Sequence, residues 1–312
     1  MKNRDSDYFS FYFLFEKIVA VPIFIFILIL GLCFNPAYAF NWKDLHELAD
    51  SLSLEEAKAN AGKQPDSIEG LYVLGLVCLN QHNDNDAEAA FNKIIGLNPA
   101  AYEAQWGLSE TLRRRHRADK SEAILNEIIK SHPDFSPAFI TLAYIKYNQM
   151  DFESSVRLAS KVIKQGKNNV DLSNYTRAFL IVAGAKGMIA HYGGPIAKVV
   201  NGTGVFPTLK DAESLQPNSP GVLFGIGCFY LLAPSIVGGN KDKALDYLQR
   251  TVKADPLFAD AYVRLAQAYN VKGDKQKYEL YLQKALEVDP QNELVLDVQS
   301  GRCKFICVTG KE

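Results

Sequence analysis

The sequence predicts an all-α protein, a right-handed superhelical array of antiparallel helix pairs. Three observations carry this expectation. First, residues 259–290 read as two amphipathic helices joined at Gly273-Asp274. Tyr262, Leu265, Ala266 and Tyr269 form one apolar stripe, Tyr278, Leu282, Ala285 and Leu286 a second, and Asp289-Pro290 ends the unit. Second, the unit has a fixed pitch: Pro256 and Pro290 stand 34 residues apart, as do Pro65, Pro99 and Pro133 in turn. Third, small and large residues recur at the same places. Counted from 1, the unit 68–101 has Leu71, Leu74, Gly75, Ala87, Phe91 and Pro99 at positions 4, 7, 8, 20, 24 and 32. The unit 259–290 has Tyr262, Leu265, Ala266, Leu282 and Pro290 at 4, 7, 8, 24 and 32, with Gly273 at 15 and Ala285 at 27. Small residues let helix backbones cross closely and large ones fill the space around them. No pair can hide its own stripe, so pairs must stack in series.

This pitch, with the same positions recurring over several units, resembles the tetratricopeptide repeat (TPR) family. The resemblance implies a solenoid without catalytic machinery that binds a protein or peptide on its concave side.

Taken in order, residues 1–39 form a signal peptide or an N-terminal membrane anchor. Residues 18–34 are an uncharged apolar run, and Ala37-Tyr38-Ala39 before Phe40 has the small residues of a signal-peptidase site. The run also approaches the roughly 20 residues that span a bilayer. Either option puts the repeats outside the cytoplasm. The expected location is the bacterial periplasm, with anchoring to the inner membrane by residues 18–34 as the alternative. Membrane contact is expected only through that segment, if it is not cleaved. Removing it leaves the formal charge at −1, because its three basic and three acidic residues cancel.

Residues 40–67 contain a leading helix over 41–60, with Trp42, Leu45, Leu48 and Ala49 on one face, read as a partial repeat. Units one to three follow at 68–101, 102–135 and 136–169, together 68–169. Between Lys167 and Pro217 the pitch fails, so 170–219 is one enlarged, irregular repeat whose second helix is interrupted near Gly193-Gly194-Pro195 and Asn201-Gly202-Thr203-Gly204. A domain linker is the alternative. Residues 220–290 hold two further units, the first with five extra residues around Pro234 to Asn240. That P-x-x-x-G-G-N turn resembles exported TPR proteins such as TRAP-transporter-associated accessory proteins. Residues 291–312 give a capping helix and a loose tail.

Composition narrows the chemistry. Near-zero net charge with no dominant basic face argues against nucleic acid as a partner. The five histidines lack metal-ligand spacing, no phosphate-loop motif is present, and no nucleophile–base arrangement stands out, so neither an enzyme nor a cofactor is expected. Cys303 and Cys307, four apart, can pair with each other or cross-link a partner in an oxidising compartment; unpaired thiols are the alternative.

The TPR resemblance points to first-helix positions 2, 5, 9, 12 and 13 as partner-binding. Here they include Tyr72, Leu76, Trp106, Glu110, Arg113, Arg114, Tyr144, Tyr147 and Phe224. The groove so defined is aromatic and apolar, and it lacks the Lys, Asn and Arg pattern of carboxylate-binding cytosolic TPR grooves. A competing reading packs part of this stripe against the leading helix or the enlarged unit. The run Arg113 to Arg117 is either a solvated helix end or a contact for an acidic partner or headgroup. Two functions therefore compete: a scaffold holding a protein or peptide, and a solute-transporter accessory enclosing a small apolar ligand.

Overall fold

Local devices set each helix pair. Ser67, Asn83, Asp151, Asp171, Asn240 and Asp274 place a side-chain oxygen on first-turn backbone N–H groups and start a helix. The turn inside a pair puts position 15 in the left-handed region, at His82 (φ 55°), His116 (φ 58°), Met150 (φ 67°) and Gly273 (φ 83°). Only the glycine takes that conformation without steric cost. Phe91, fully buried, wedges between units: a Cβ added at Gly75 or at Gly107 would stand 2.5 Å from its ring.

The computed structural model describes residues 41–308, which contain helices and no strand. After α1 (Trp42–Ser51) and α2 (Leu54–Lys63) come three pairs: α3 (Ile68–Asn80) with α4 (Asp84–Leu97), α5 (Tyr102–Arg114) with α6 (Ala118–Ser131), and α7 (Ser136–Asn148) with α8 (Phe152–Gln165). The long α9 (Leu172–Tyr192) is followed by two shorter helices, α10 (Pro195–Gly202) and α11 (Val205–Leu215). Then come α12 (Pro220–Leu232) with α13 (Lys241–Ala254), α14 (Ala259–Val271) with α15 (Lys275–Val288), and the final α16 (Glu293–Ser300). Within each repeat the two helices pack on each other, and the array is a helical solenoid.

The insertion between α12 and α13 has a backbone rationale. A short 3₁₀ turn (Ser235–Val237) leads to Gly238 at φ 106°, and a Cβ on Gly239 would sit 1.9 Å from the Ala233 carbonyl oxygen. Asn240 then caps α13 by accepting from the Asp242 and Lys243 N–H groups at 3.1 and 3.0 Å.

Two local expectations need correction. The leading segment is not one helix over 41–60. Ser53 starts a second helix, with reciprocal bonds from Ser53 N–H to the Glu56 carboxylate (2.9 Å) and from Glu56 N–H to Ser53 Oγ (3.3 Å). Leu48 points to solvent, and His46 and Ala49 are the buried residues of α1. The tail is not loose over 303–308 either: it packs against α7, α9, α14 and α16, as described below. The apolar run 18–34 and its cleavage site lie outside the described residues. Among those described, no helix is long and apolar enough to cross a membrane.

The turns of the first two units meet the helix ends of the last two. His82 Nε2 lies 3.2 Å from an Asp255 carboxylate oxygen, and His116 Nε2 lies 3.1 Å from one of Asp289. Both pairs are separated by 173 residues, so the second contact is the first moved on by one repeat.

Candidate functional site: the concave interior

Helix α1 covers the concave side of the first two units. Its His46 is buried, with Nε2 2.9 Å from the Tyr72 hydroxyl and its ring 5.3 Å from the Trp106 ring centroid. Its Trp42 meets Phe135 edge-on at 5.3 Å. From α9, Asn174 Nδ2 approaches His46 Nδ1 at 3.4 Å and donates to Asp171 Oδ2 at 2.9 Å. Burial lowers the His46 pKa despite Asp171 and Asp50, so its 3.9 Å contact with Asp171 is a neutral one at pH 7.

The tail fills the other end. Arg264 on α14 is the anchor: it donates from Nη2 to the Phe305 carbonyl (2.6 Å) and from Nη1 to the Ile306 carbonyl (2.8 Å). The Phe305 N–H donates to Asp297 Oδ2 at 3.0 Å, Lys304 Nζ to the Asn148 carbonyl at 2.6 Å, and the Tyr192 hydroxyl to the Lys304 carbonyl at 2.7 Å. The Phe305 ring is 5% exposed and stacks on Tyr147 with centroids 6.1 Å apart. A disulfide joins Cys303 to Cys307 and closes this segment into a small loop.

Between the two ends lies a polar centre. Arg113 grips Glu110 with Nε at 3.1 Å and Nη2 at 2.6 Å, and stacks on the Tyr144 ring at 4.6 Å. Glu110 also accepts from Thr141 Oγ1 at 3.0 Å. Burial alone would push its carboxyl up, but Arg113, Arg114 and Arg177 outweigh burial and hold it well below the usual carboxylate range. Burial raises the Asp260 pKa and pushes the Tyr144 phenol up to about 12.

The structure divides the sequence-derived site residues. Tyr72, Leu76, Trp106 and Glu110 are buried against the chain's own groups, in keeping with the competing reading of the stripe. Trp106 is 3% exposed and donates from Nε1 to Thr141 Oγ1 at 3.0 Å. Arg114 holds the turn of the preceding unit through the Leu79 carbonyl (2.8 Å) and Asp84 (3.1 Å). Arg113, Tyr144, Tyr147 and Phe224 remain part-exposed. Sequence reasoning missed His46, Asn174, Arg177 and Arg264. Arg264 left a signal, a single cation in the otherwise apolar stretch Ala261–Ala266 of a first helix.

The centre offers little chemistry of its own. Burial pushes the thiols of Cys78 and Cys228 up to about 11 and about 12, so neither supplies a thiolate near neutral pH. No group of three or more His, Cys, Asp or Glu among the described residues could hold a metal ion.

Stacked antiparallel helix pairs around a concave face define a helical-repeat scaffold. Residues 72–134 and 237–293 match the sequence model described as "Tetratricopeptide repeat". These two stretches carry tetratricopeptide repeats, and the chain is similar to that family. No curated protein matches its sequence. Among solved structures it is similar to the APC/C hetero-tetramer Cut9–Hcn1, with a TM-score of 0.53 and 12% identity over 82% of this chain and 47% of that one. It is similar to an IFIT1 monomeric mutant with m7Gppp-AAAA (TM-score 0.53, 18% identity, 81% and 59% covered). A tetratricopeptide repeat protein from Parabacteroides merdae gives a TM-score of 0.50 at 13% identity, with 79% and 90% covered. At these identities the likeness is one of fold.

Proposed function

We propose that this protein is an exported, non-catalytic scaffold that holds an extended peptide segment of a partner protein in its concave interior. The observation that carries this reading is the position of residues 303–308, whose carbonyls are held by Arg264 and whose Phe305 ring sits against Tyr147. The interior holds a non-helical segment by main-chain hydrogen bonds and one aromatic anchor, which is peptide-binding chemistry. The tail then competes with the partner. Export is supported by the apolar run 18–34 ahead of Ala37-Tyr38-Ala39 and by a disulfide, which persists in oxidising compartments. Anchoring at the inner membrane by residues 18–34 remains the alternative placement. A small apolar ligand suits the centre less well, because Arg113, Arg177, Tyr144 and Asp260 gather there.

The test is fluorescence anisotropy with a labelled, disulfide-closed synthetic peptide of residues 301–308. Full-length Phe305→Ala should bind the peptide saturably, wild type at least about 10-fold more weakly, and Phe305→Ala with Arg264→Met hardly at all. Failure of the Phe305→Ala chain to bind would remove the peptide reading.

A further inference from the structure

We propose that the interior holds a specific site for a small free oxyanion, of carboxylate or phosphate class, centred on the Arg177 guanidinium between the α1 end and the tail end. Arg177 is part-buried on α9. Its guanidinium donates to Asn174 Oδ1 at 3.3 Å and makes no other hydrogen bond or ion pair among the described residues. A guanidinium carries five N–H donors in a planar fork. Four of them therefore have no protein partner among the described residues, and on a part-buried side chain they stay open to a ligand from the solvent side.

The carboxylates within range are already committed. Glu110 is gripped by both ends of Arg113, approached by Arg114 Nε at 3.5 Å, and accepts from Thr141. Asp171 caps α9 through the Asn174 N–H (2.9 Å) and accepts from Asn174 Nδ2 (2.9 Å). The surroundings hold both signs: after burial Glu110 acts most strongly on Arg177, and Arg113 and Arg114 oppose it. Burial and these two arginines outweigh Glu110 and Asp171, and Arg177 is held below the usual arginine range. His46, the nearest imidazole on α1, is kept neutral and supplies no charge.

A small oxyanion answers each of these features. The planar fork matches the two oxygens of a carboxylate or of one face of a phosphate. The bound charge would also offset the mutual repulsion of the three arginines. The site is independent of the peptide reading: it lies at the N-terminal end of α9, whereas the tail contacts Tyr192 at the other end of that helix.

Thermal unfolding of the whole exported chain tests the site, with succinate or inorganic phosphate titrated at constant ionic strength against sodium chloride. Wild type should gain about 3 °C or more at saturation with one of the two, and the arm that responds identifies the class. Arg177→Met should lose that gain. In chloride alone its Tm should match or exceed that of wild type, because an uncompensated cation has been removed. A merely structural arginine would instead give a lower Tm. If neither anion raises the wild-type Tm above the chloride control, or if Arg177→Met keeps the rise, the proposal is overturned. The wild-type titration decides even if the variant does not fold.

Discussion

Reduction of the Cys303–Cys307 bond should release the tail while leaving the repeats folded. The bridge spans a sequence separation of only 4, so it closes a very short loop. In chain-entropy accounting a loop of that size restricts the undocked segment by about 2 kcal/mol. The docked contacts do not depend on the bridge: Arg264 still reaches the Phe305 and Ile306 carbonyls, and Asp297 still accepts the Phe305 N–H. Losing the bridge therefore acts mainly on the free tail, and local opening becomes about 30-fold more frequent. Amide hydrogen exchange at Phe305 reads this directly, because its N–H is buried and bonded at 3.0 Å. Exchange there should accelerate about 30-fold in dithiothreitol or in Cys303→Ser/Cys307→Ser, while amides in α5 and α7 keep their rates. An unchanged Phe305 rate would show that Arg264 and the aromatic contact alone hold the tail.

Other perturbations test the packing and the electrostatics. Gly107→Ala should cost about 1–3 kcal/mol in chemical denaturation, because the new Cβ would stand 2.5–2.6 Å from the Phe91 ring atoms, whose ring is already wedged against Gly75. A neutral result would mean that the two units do not cross there. Gly239→Ala should be at least as costly, since its Cβ would overlap the Ala233 carbonyl and force the insertion turn to move. Circular dichroism melts of that variant against Gly194→Ala, where a Cβ meets nothing within 4 Å, make the comparison. His46 has a folded pKa lowered from 6.5, so the unfolded chain binds the extra proton as pH falls through 6.5. Wild type should thus lose stability between pH 7 and 5, by at most about 1.4 kcal/mol per unit, and His46→Gln should lose less. Equal pH slopes in the two proteins would contradict a buried neutral imidazole. Trp106→Ala should cost about 3–5 kcal/mol through its cavity and the donor lost to Thr141 Oγ1, so its stability must be measured before any lost binding is assigned to the groove.

The legible part of the site was its composition, and the illegible part was its orientation. Tyr72 and Trp106 stand where the repeat pattern puts concave residues, yet α1 turns them into core through His46 and Trp42. The leading segment revealed its helical tendency but not the strength of the Ser53–Glu56 capping box, which splits it in two. In the tail, Cys303 and Cys307 were visible as a pair, whereas the docking of Phe305 depends on Arg264, 41 residues earlier.

The sequence by itself determined the helix pairs and their stacking. Each pair is specified by contacts inside one 34-residue unit and with the next, and these repeat visibly as small residues, large residues and closing prolines. The tertiary structure alone decided what fills the concave side. Contacts such as His82 with Asp255 and Asn174 with His46 join residues 173 and 128 apart. They depend on rotation accumulated over several units and on the irregular α9 to α11 stretch. No local period encodes that sum, so the partnering of the interior appears only once the chain has folded.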